Sequence, residues 1–256
     1  MTEVAVLAEQ TVAGAPVPWA LVPGWQERFG VVAGITERGD PADPFDLGLA
    51  GTAPIGAVLE RWRRVQEAVP GFSGIVVARQ VHGVTVLWHD QARAGWTLLH
   101  GADGHATAAP GLLLTVSLAD CIPIYLIDPV RRAVALLHSG WRGTAGEILR
   151  AGVELLAQRS GSRAEDLAVH VGVGICESCY EVGAEVASAC GRPLADGAAG
   201  GLDLRGVIAD QAGALGITDL SVSPLCSAHD AGRFMSHRRS SGRDGRMIAL
   251  LGLLPE

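Results

Sequence analysis

Residues 112–143 read Leu-Leu-Leu-Thr-Val-Ser-Leu-Ala-Asp-Cys-Ile-Pro-Ile-Tyr-Leu-Ile-Asp-Pro-Val-Arg-Arg-Ala-Val-Ala-Leu-Leu-His-Ser-Gly-Trp-Arg-Gly. Three apolar runs of strand length stand here, at 112–117, 122–127 and 133–137. Asp128-Pro129 is a turn signal between the second and third runs. Ser139-Gly140-Trp141-Arg142-Gly143 then reads as a glycine-rich turn, and Thr144 with Glu147 has the pattern of a capping box. A helix is predicted behind it, with Ile148, Leu149, Gly152, Leu155 and Leu156 on one face.

Working outward, residues 1–54 are rich in glycine and proline, so short strands and loops are expected. A helix is predicted over 55–69, carrying Arg61, Arg63 and Arg64. Residues 75–88 read as strand, turn, strand, broken at Gln80-Val81-His82-Gly83. Downstream, 167–175 alternates like a strand, 181–190 and 204–215 look helical, and 220–225 and 247–253 read as strands. No internal repeat or linker stands out. The class is α+β (mixed α/β), with residues 1–256 as a single domain of layered mixed β-sheets flanked by helices. The strand–turn–strand units argue against a purely parallel doubly wound sheet.

The chain is 256 residues long, ample for a real core, and 48% hydrophobic against 18% charged, which reads as globular. All 20 basic residues are arginine, a pattern that the codon bias of a GC-rich genome produces without reference to function. A formal net charge of -7 argues against nucleic acid as a partner, though it does not bear on a local basic pocket for one phosphate. No stretch is apolar enough to span a membrane, and Met1-Thr2-Glu3 lacks the basic start of a signal peptide. Five cysteines without an export signal suggest reduced thiols and a cytoplasmic protein.

Three residues sit at strand ends or breaks, where backbones converge and side chains can enter a cleft: His82, Cys121 and His138. Two imidazoles and one thiolate suit zinc, and three protein ligands leave a fourth position open for water or substrate. Spacing alone carries no metal signature, and an isolated buried cysteine is ordinarily a small hydrophobe. The turn after His138 joins glycines, a helix start and Arg142, a combination suited to an anion, or to an ordinary strand-to-helix turn with an exposed arginine. Asp103 and Asp120 flank these motifs as candidate general bases or supporting partners. Cys176 and Cys179 form a Cys-x-x-Cys, which could be half of a zinc site or a redox pair; with no second such pair and no regular spacing to Cys190 or Cys226, two thiols near a helix start is the favoured reading. Arg238, Arg239, Arg243 and Arg246, beside Ser236 and His237, could bind phosphate or form a solvated face, and the composition of the run favours the face. His100, His105, His170 and His229 are further ligand candidates without a supporting constellation.

Taken in order, several segments resemble one family. They are Gln80-Val81-His82-Gly83, Ala119-Asp120-Cys121-Ile122-Pro123 and His138 through Thr144, then Cys179-Tyr180-Glu181-Val182-Gly183, Cys226, Phe234 through Arg239 and Gly245-Arg246. They resemble the laccase-domain proteins, once described as multicopper polyphenol oxidoreductases, later as purine nucleoside phosphorylases, with some bacterial members known as peptidoglycan editing factors. The resemblance covers the chain from about residue 75 to the end. It implies that His82, Cys121 and His138 hold the metal, zinc or else copper. It implies phosphorolysis of adenosine, inosine, guanosine and methylthioadenosine, with some adenosine deamination. Toward the N-terminus the pattern departs: Ile35-Thr36-Glu37-Arg38, Asp46-Leu47-Gly48 and Glu60-Arg61 stand where the family usually has Ser-Thr-Arg, Asn-Leu-Gly and Asn-Arg.

The expected site therefore comprises Cys121, His138 and Asp120 at the chemistry, with Arg38, Arg61 and Arg142 taking phosphate. The expected partners are a purine nucleoside and phosphate, acting on a monomer. Three rival readings compete. One makes Cys121 a nucleophile with His138 as its base, cleaving an amide in a cell-wall precursor. A copper oxidase of phenols needs more histidines in His-x-His pairs, and the chain has 8 histidines and no such pair. The third is a zinc-stabilised binding protein without activity.

Overall fold

The computed structural model describes residues 4–255. Met1 to Glu3, on which the expectation about a leader rested, lie outside the described residues. In chain order the described strands are β1 (Ala5–Val6), β2 (Gln10–Thr11), β3 (Trp19–Leu21), β4 (Val31–Thr36), β5 (Gly74–Arg79), β6 (Val86–His89), β7 (Gly95–His100), β8 (Gly104–Thr107), β9 (Leu112–Leu118), β10 (Ile122–Asp128), β11 (Ala133–Ser139), β12 (Ala168–Val171), β13 (Glu181–Gly183), β14 (Ala199–Gly201), β15 (Asp219–Val222) and β16 (Met247–Leu253). The helices are α1 (Trp25–Phe29), α2 (Ile55–Ala68), α3 (Trp141–Ala145), α4 (Ile148–Ser160), α5 (Ala184–Ala189), α6 (Leu204–Ala214) and α7 (His237–Ser240).

Two seven-stranded mixed sheets dominate. The first runs β1-β15-β12-β10-β11-β8-β6 and the second β2-β3-β4-β16-β9-β5-β7. Side chains alternate across each strand, so a strand buried on both faces must be apolar throughout. That is the reason for the apolar runs in the sequence, interrupted in β9 only by Thr115 and Ser117. In β9, Leu112, Leu114 and Val116 enter the core between the sheets, while Leu113 faces the opposite side, toward Val58, Trp62 and Val65 of α2. In β10, Tyr125 and Ile127 share the inter-sheet core, whereas Ile122, Ile124 and Leu126 pack with residues of α4 and α6. The layers are therefore α2, second sheet, first sheet, then α4 and α6.

Between β5 and β10 the chain changes sheets at every connection. The strand, turn, strand expected over 75–88 is present as β5 and β6, and the two strands belong to different sheets. The turn between them is a crossing, as are the β7–β8 and β9–β10 connections. Three expectations change. Thr144 and Glu147 make no capping box: Thr144 lies inside α3 with its hydroxyl on Ser139, and Glu147, at φ 58, separates α3 from α4. The segment 181–190 divides into β13 and α5, because Glu181 to Gly183 pairs with Ala199 to Gly201. The strand predicted over 220–225 is Asp219–Val222.

Candidate metal centre

Three of these crossings, all from the second sheet to the first, each deliver one residue to the same place. His82 lies on the β5–β6 crossing, Asp103 on the β7–β8 crossing and Cys121 on the β9–β10 crossing. His138 arrives from β11, paired opposite Pro123 of β10. One donor atom each of His82, Cys121 and His138 lie within 4.8 Å of one another, and the two imidazole rings meet edge to face at 4.9 Å. At the cluster, His82 and Asp120 have left-handed backbones, at φ 58 and φ 85. Non-glycine residues hold that conformation only where their surroundings impose it, and such positions concentrate at functional sites.

Asp103 imposes it at His82. The carboxylate is fully buried and accepts the backbone N–H groups of Val81 (3.2 Å), His82 (2.9 Å) and Gly83 (2.8 Å). It also accepts Nδ1–H of His138 at 2.9 Å. This leaves Nε2 of His138 as its free nitrogen, the arrangement in which a carboxylate orients an imidazole ligand. Burial works against the charge of Asp103, but His138 and the Gly83 and Val81 amides outweigh it and hold the carboxyl below its ordinary value. Asp120 is equally engaged, accepting Ser227 Oγ–H at 2.6 Å and the Arg238 N–H at 2.7 Å. Gly140 closes the floor of the cluster: a Cβ there would stand 3.0 Å from Cys121 Sγ and 3.3 Å from His82 Cδ2.

The protein matrix prepares a thiolate. Burial opposes the ionisation of Cys121, but His138 and then His82 outweigh it and bring the thiol down to about 6. Burial likewise opposes the charge on His138, yet Cys121 and Asp103 raise it to about 9. Between these values the metal-free pair is thiolate and imidazolium. Alkylation of Cys121 by iodoacetamide in metal-stripped protein is therefore expected to rise with a midpoint near pH 6. A midpoint near the ordinary 9.0 would contradict this pairing.

The other candidate residues divide. Arg142 is exposed beside the cluster, its guanidinium 4.2 Å from the ring centre of Trp141, and makes no ion pair among the described residues. Arg38 and Arg61, expected with it at phosphate, each carry an ion pair. Arg38 donates to Asp244 at 2.7 Å and to the carbonyls of Ala231 and Phe234. Arg61 bonds Asp43 at 2.5 Å and the Asp46 carbonyl. His105 and His170 are buried in side-chain hydrogen bonds, to His89 and to Ser221 and Glu9 respectively. His100 pairs with Arg79. Arg239 and Arg243 are exposed as expected, but Arg238 is not a bystander: it packs over Tyr180 and donates to the Glu181 carbonyl. The favoured reading of two isolated thiols at 176 and 179 gives way to the alternative of half a metal site, since Cys176 and Cys179 gather with Cys226 and His229. Gly140 and the three-amide cradle of Asp103 escaped the sequence reading. The glycine-rich turn was the available signal for the first; nothing local signals the second.

A two-sheet α/β architecture with a histidine–cysteine–histidine cluster at its sheet crossings defines an enzyme-like class of site. The chain belongs to the family described as multi-copper polyphenol oxidoreductase laccase, whose profile matches residues 33–254. It is 39% identical over 204 residues to the purine nucleoside phosphorylase of Deinococcus radiodurans, covering 77% of each chain. It is 33% identical over 251 residues to a purine nucleoside phosphorylase of Pseudomonas aeruginosa, covering 91% of this chain and 98% of that one. An adenosine deaminase from an unknown prokaryotic organism is 36% identical over 121 residues, 45% of this chain and 46% of its own. The crystal structure of YlmD from Geobacillus stearothermophilus superposes with a TM-score of 0.86 at 29% identity, covering 97% of this chain and all of that one. The family is one of enzymes.

Proposed function

We propose that this chain is a zinc-dependent purine nucleoside phosphorylase. It would convert adenosine, inosine or guanosine and phosphate to the free base and ribose 1-phosphate, and methylthioadenosine and phosphate to adenine and the methylthioribose 1-phosphate. The observation that carries the reading is the convergence of His82, Cys121 and His138, with donor atoms within 4.8 Å. Two imidazoles and a thiol of lowered pKa are a fitting donor set for zinc, and copper is the alternative ion. When bound, zinc in a three-ligand site supplies Lewis acidity at an open position.

In phosphorolysis a phosphate oxygen bonds to C1′ as the C1′–N9 bond breaks. The purine leaves with the electron pair and takes a proton, while the ribose passes through an oxocarbenium-like state. Arg142, unpaired by carboxylates among the described residues, is the proposed contact for phosphate. Arg38 and Arg61 are its proposed companions at phosphate, each steadied by a carboxylate, Asp244 and Asp43 respectively. Asp103 and Asp120 position His138 and the Cys121 crossing. Val81 and Trp141, partly exposed beside the cluster, offer apolar surface to a planar base.

Inosine incubated with purified protein is expected to yield hypoxanthine only when phosphate is present. Release that ignores phosphate, or none from zinc-loaded protein, would overturn the phosphorylase reading. A deaminase reading is favoured by the similarity to an adenosine deaminase; adenosine is expected to give inosine more slowly than adenine. The thiol of Cys121 beside His138 also keeps the cysteine-hydrolase reading in view. Activity retained in metal-free protein, and abolished by alkylation of Cys121, would favour it. We further infer a monomer working in the cytoplasm, which its five free cysteines suit. No helix is long and apolar enough to cross a membrane among the described residues.

A further inference from the structure

Strands β12 and β15 run parallel and in register, Val171 opposite Val222, so their continuations leave the sheet side by side. One continuation carries Cys176-Glu177-Ser178-Cys179 and the other Cys226-Ser227-Ala228-His229. They stay together beyond the sheet: Gly174 and Cys226 form a parallel bridge, and the Ser227 N–H donates to the Gly174 carbonyl at 3.0 Å. The Cys176 N–H donates to Cys226 Sγ at 3.3 Å. The turn at 226–230 is fastened by the Cys226 N–H on Asp230 Oδ2 at 3.0 Å and the Asp230 N–H on the Cys226 carbonyl at 2.9 Å.

The result is a Cys-x-x-Cys knuckle facing a Cys-x-x-His knuckle. One donor atom from each of the four residues lies within 4.8 Å of the others, and Cys176 Sγ stands 3.6 Å from His229 Nδ1. A zinc tetrahedron with Zn–S bonds of about 2.3 Å has edges of about 3.8 Å. Four soft or borderline donors fill that tetrahedron, leaving no open position, and the backbone N–H on sulfur is the kind of supporting bond that steadies a ligating thiolate. Cys226 is buried, Cys176 and Cys179 are half-buried and His229 is exposed, so an ion can enter from solvent.

We propose that Cys176, Cys179, Cys226 and His229 form a second zinc site, structural in kind and separate from the His82–Cys121–His138 centre. Its placement gives it a task. Both knuckles hold Asp120, the residue before Cys121: Ser227 Oγ–H donates to its carboxylate at 2.6 Å, and the Ile175 N–H to its carbonyl at 2.9 Å. Gly174 presses on the same backbone, where a Cβ would meet the Asp120 carbonyl oxygen at 2.8 Å. A metal joining the knuckles fixes the cradle that presents Cys121.

The test is the zinc content of the full-length protein, purified under reducing conditions, with X-ray absorption at the zinc edge. Wild type is expected to hold two zinc ions per chain, with a mean of two sulfur ligands per zinc, one at the first centre and three at the second. His82→Ala is expected to hold one zinc, now with three sulfurs, which reads the second site whether or not the first has its proposed function. Cys179→Ser is expected to hold one zinc with one sulfur. A wild type with one zinc bound by a single sulfur, a His82→Ala protein without zinc, or a Cys176–Cys179 disulfide in the reduced preparation would each overturn the proposal. Should Cys179→Ser fail to fold, the wild-type and His82→Ala measurements decide the matter.

Discussion

His82→Ala protein is expected to lose the metal of the three-ligand centre and, with it, at least about 10³-fold in kcat/KM for phosphate-dependent cleavage of inosine. A centre with three protein ligands tolerates no missing one without a steep loss of affinity. The fold itself has little stake in this side chain. His82 is exposed, and its backbone is fixed by the Asp103 carboxylate through amides that alanine retains. Stability of the metal-free variant should therefore stay within about 1 kcal/mol of metal-free wild type. The substitution also separates the competing chemistries. It leaves Cys121, His138 and Asp103 in place, so a cysteine nucleophile would keep much of its activity, whereas a metal enzyme would not. Metal analysis alongside steady-state kinetics checks it. Wild-type phosphorolysis from His82→Ala protein free of metal would remove zinc from the reaction.

Asp103→Ala is expected to act on the fold and the centre together. The carboxylate is fully buried and satisfies three backbone N–H groups and the His138 imidazole at once. Alanine strands all four donors, and breaking a buried charged network of this kind costs about 3–5 kcal/mol. Metal affinity should fall by roughly 10–100-fold or more, because His138 loses the partner that sets its orientation and the His82 crossing loses its anchor. Asp103→Asn keeps the size and two lone pairs but not the charge, and should recover part of the stability and less of the metal affinity. The pH dependence has a definite sign. A carboxyl held below its usual value stabilises the native state above that value, and its contribution disappears as pH falls through the lowered pKa. In metal-free protein the wild-type advantage over Asp103→Asn is therefore expected to shrink below about pH 4, and also as pH rises through about 9, where His138 loses the charge that Asp103 helps to hold. Denaturant melts of both proteins across pH measure it; an advantage constant down to strong acid would mean that the charge of Asp103 contributes nothing.

Much of the central architecture is legible in the chain. The runs at 112–117, 122–127 and 133–137 are apolar on both alternating faces, which only a strand covered on both sides requires, and β9, β10 and β11 are such strands. The family motifs likewise single out His82, Cys121 and His138, and these three do converge. Local pattern could not say which sheet each strand joins. Periodicity reports that a face is buried, not what covers it, so β5, a turn and β6 look like a hairpin although they part into different sheets.

The same limit governs the sites. Composition and motif by themselves determined the mixed class, the double burial of the central strands and the residue types fit for zinc. Only the tertiary structure decided that Asp103 joins three amides to His138, that Arg38 and Arg61 are held by Asp244 and Asp43, and that Cys176 and Cys179 meet Cys226 and His229. Those relations join residues 18 to 206 positions apart. Sequence spacing carries no information about distance at such separations. It is the pairing of strands, and the packing of two sheets against each other, that turns distant positions into neighbours.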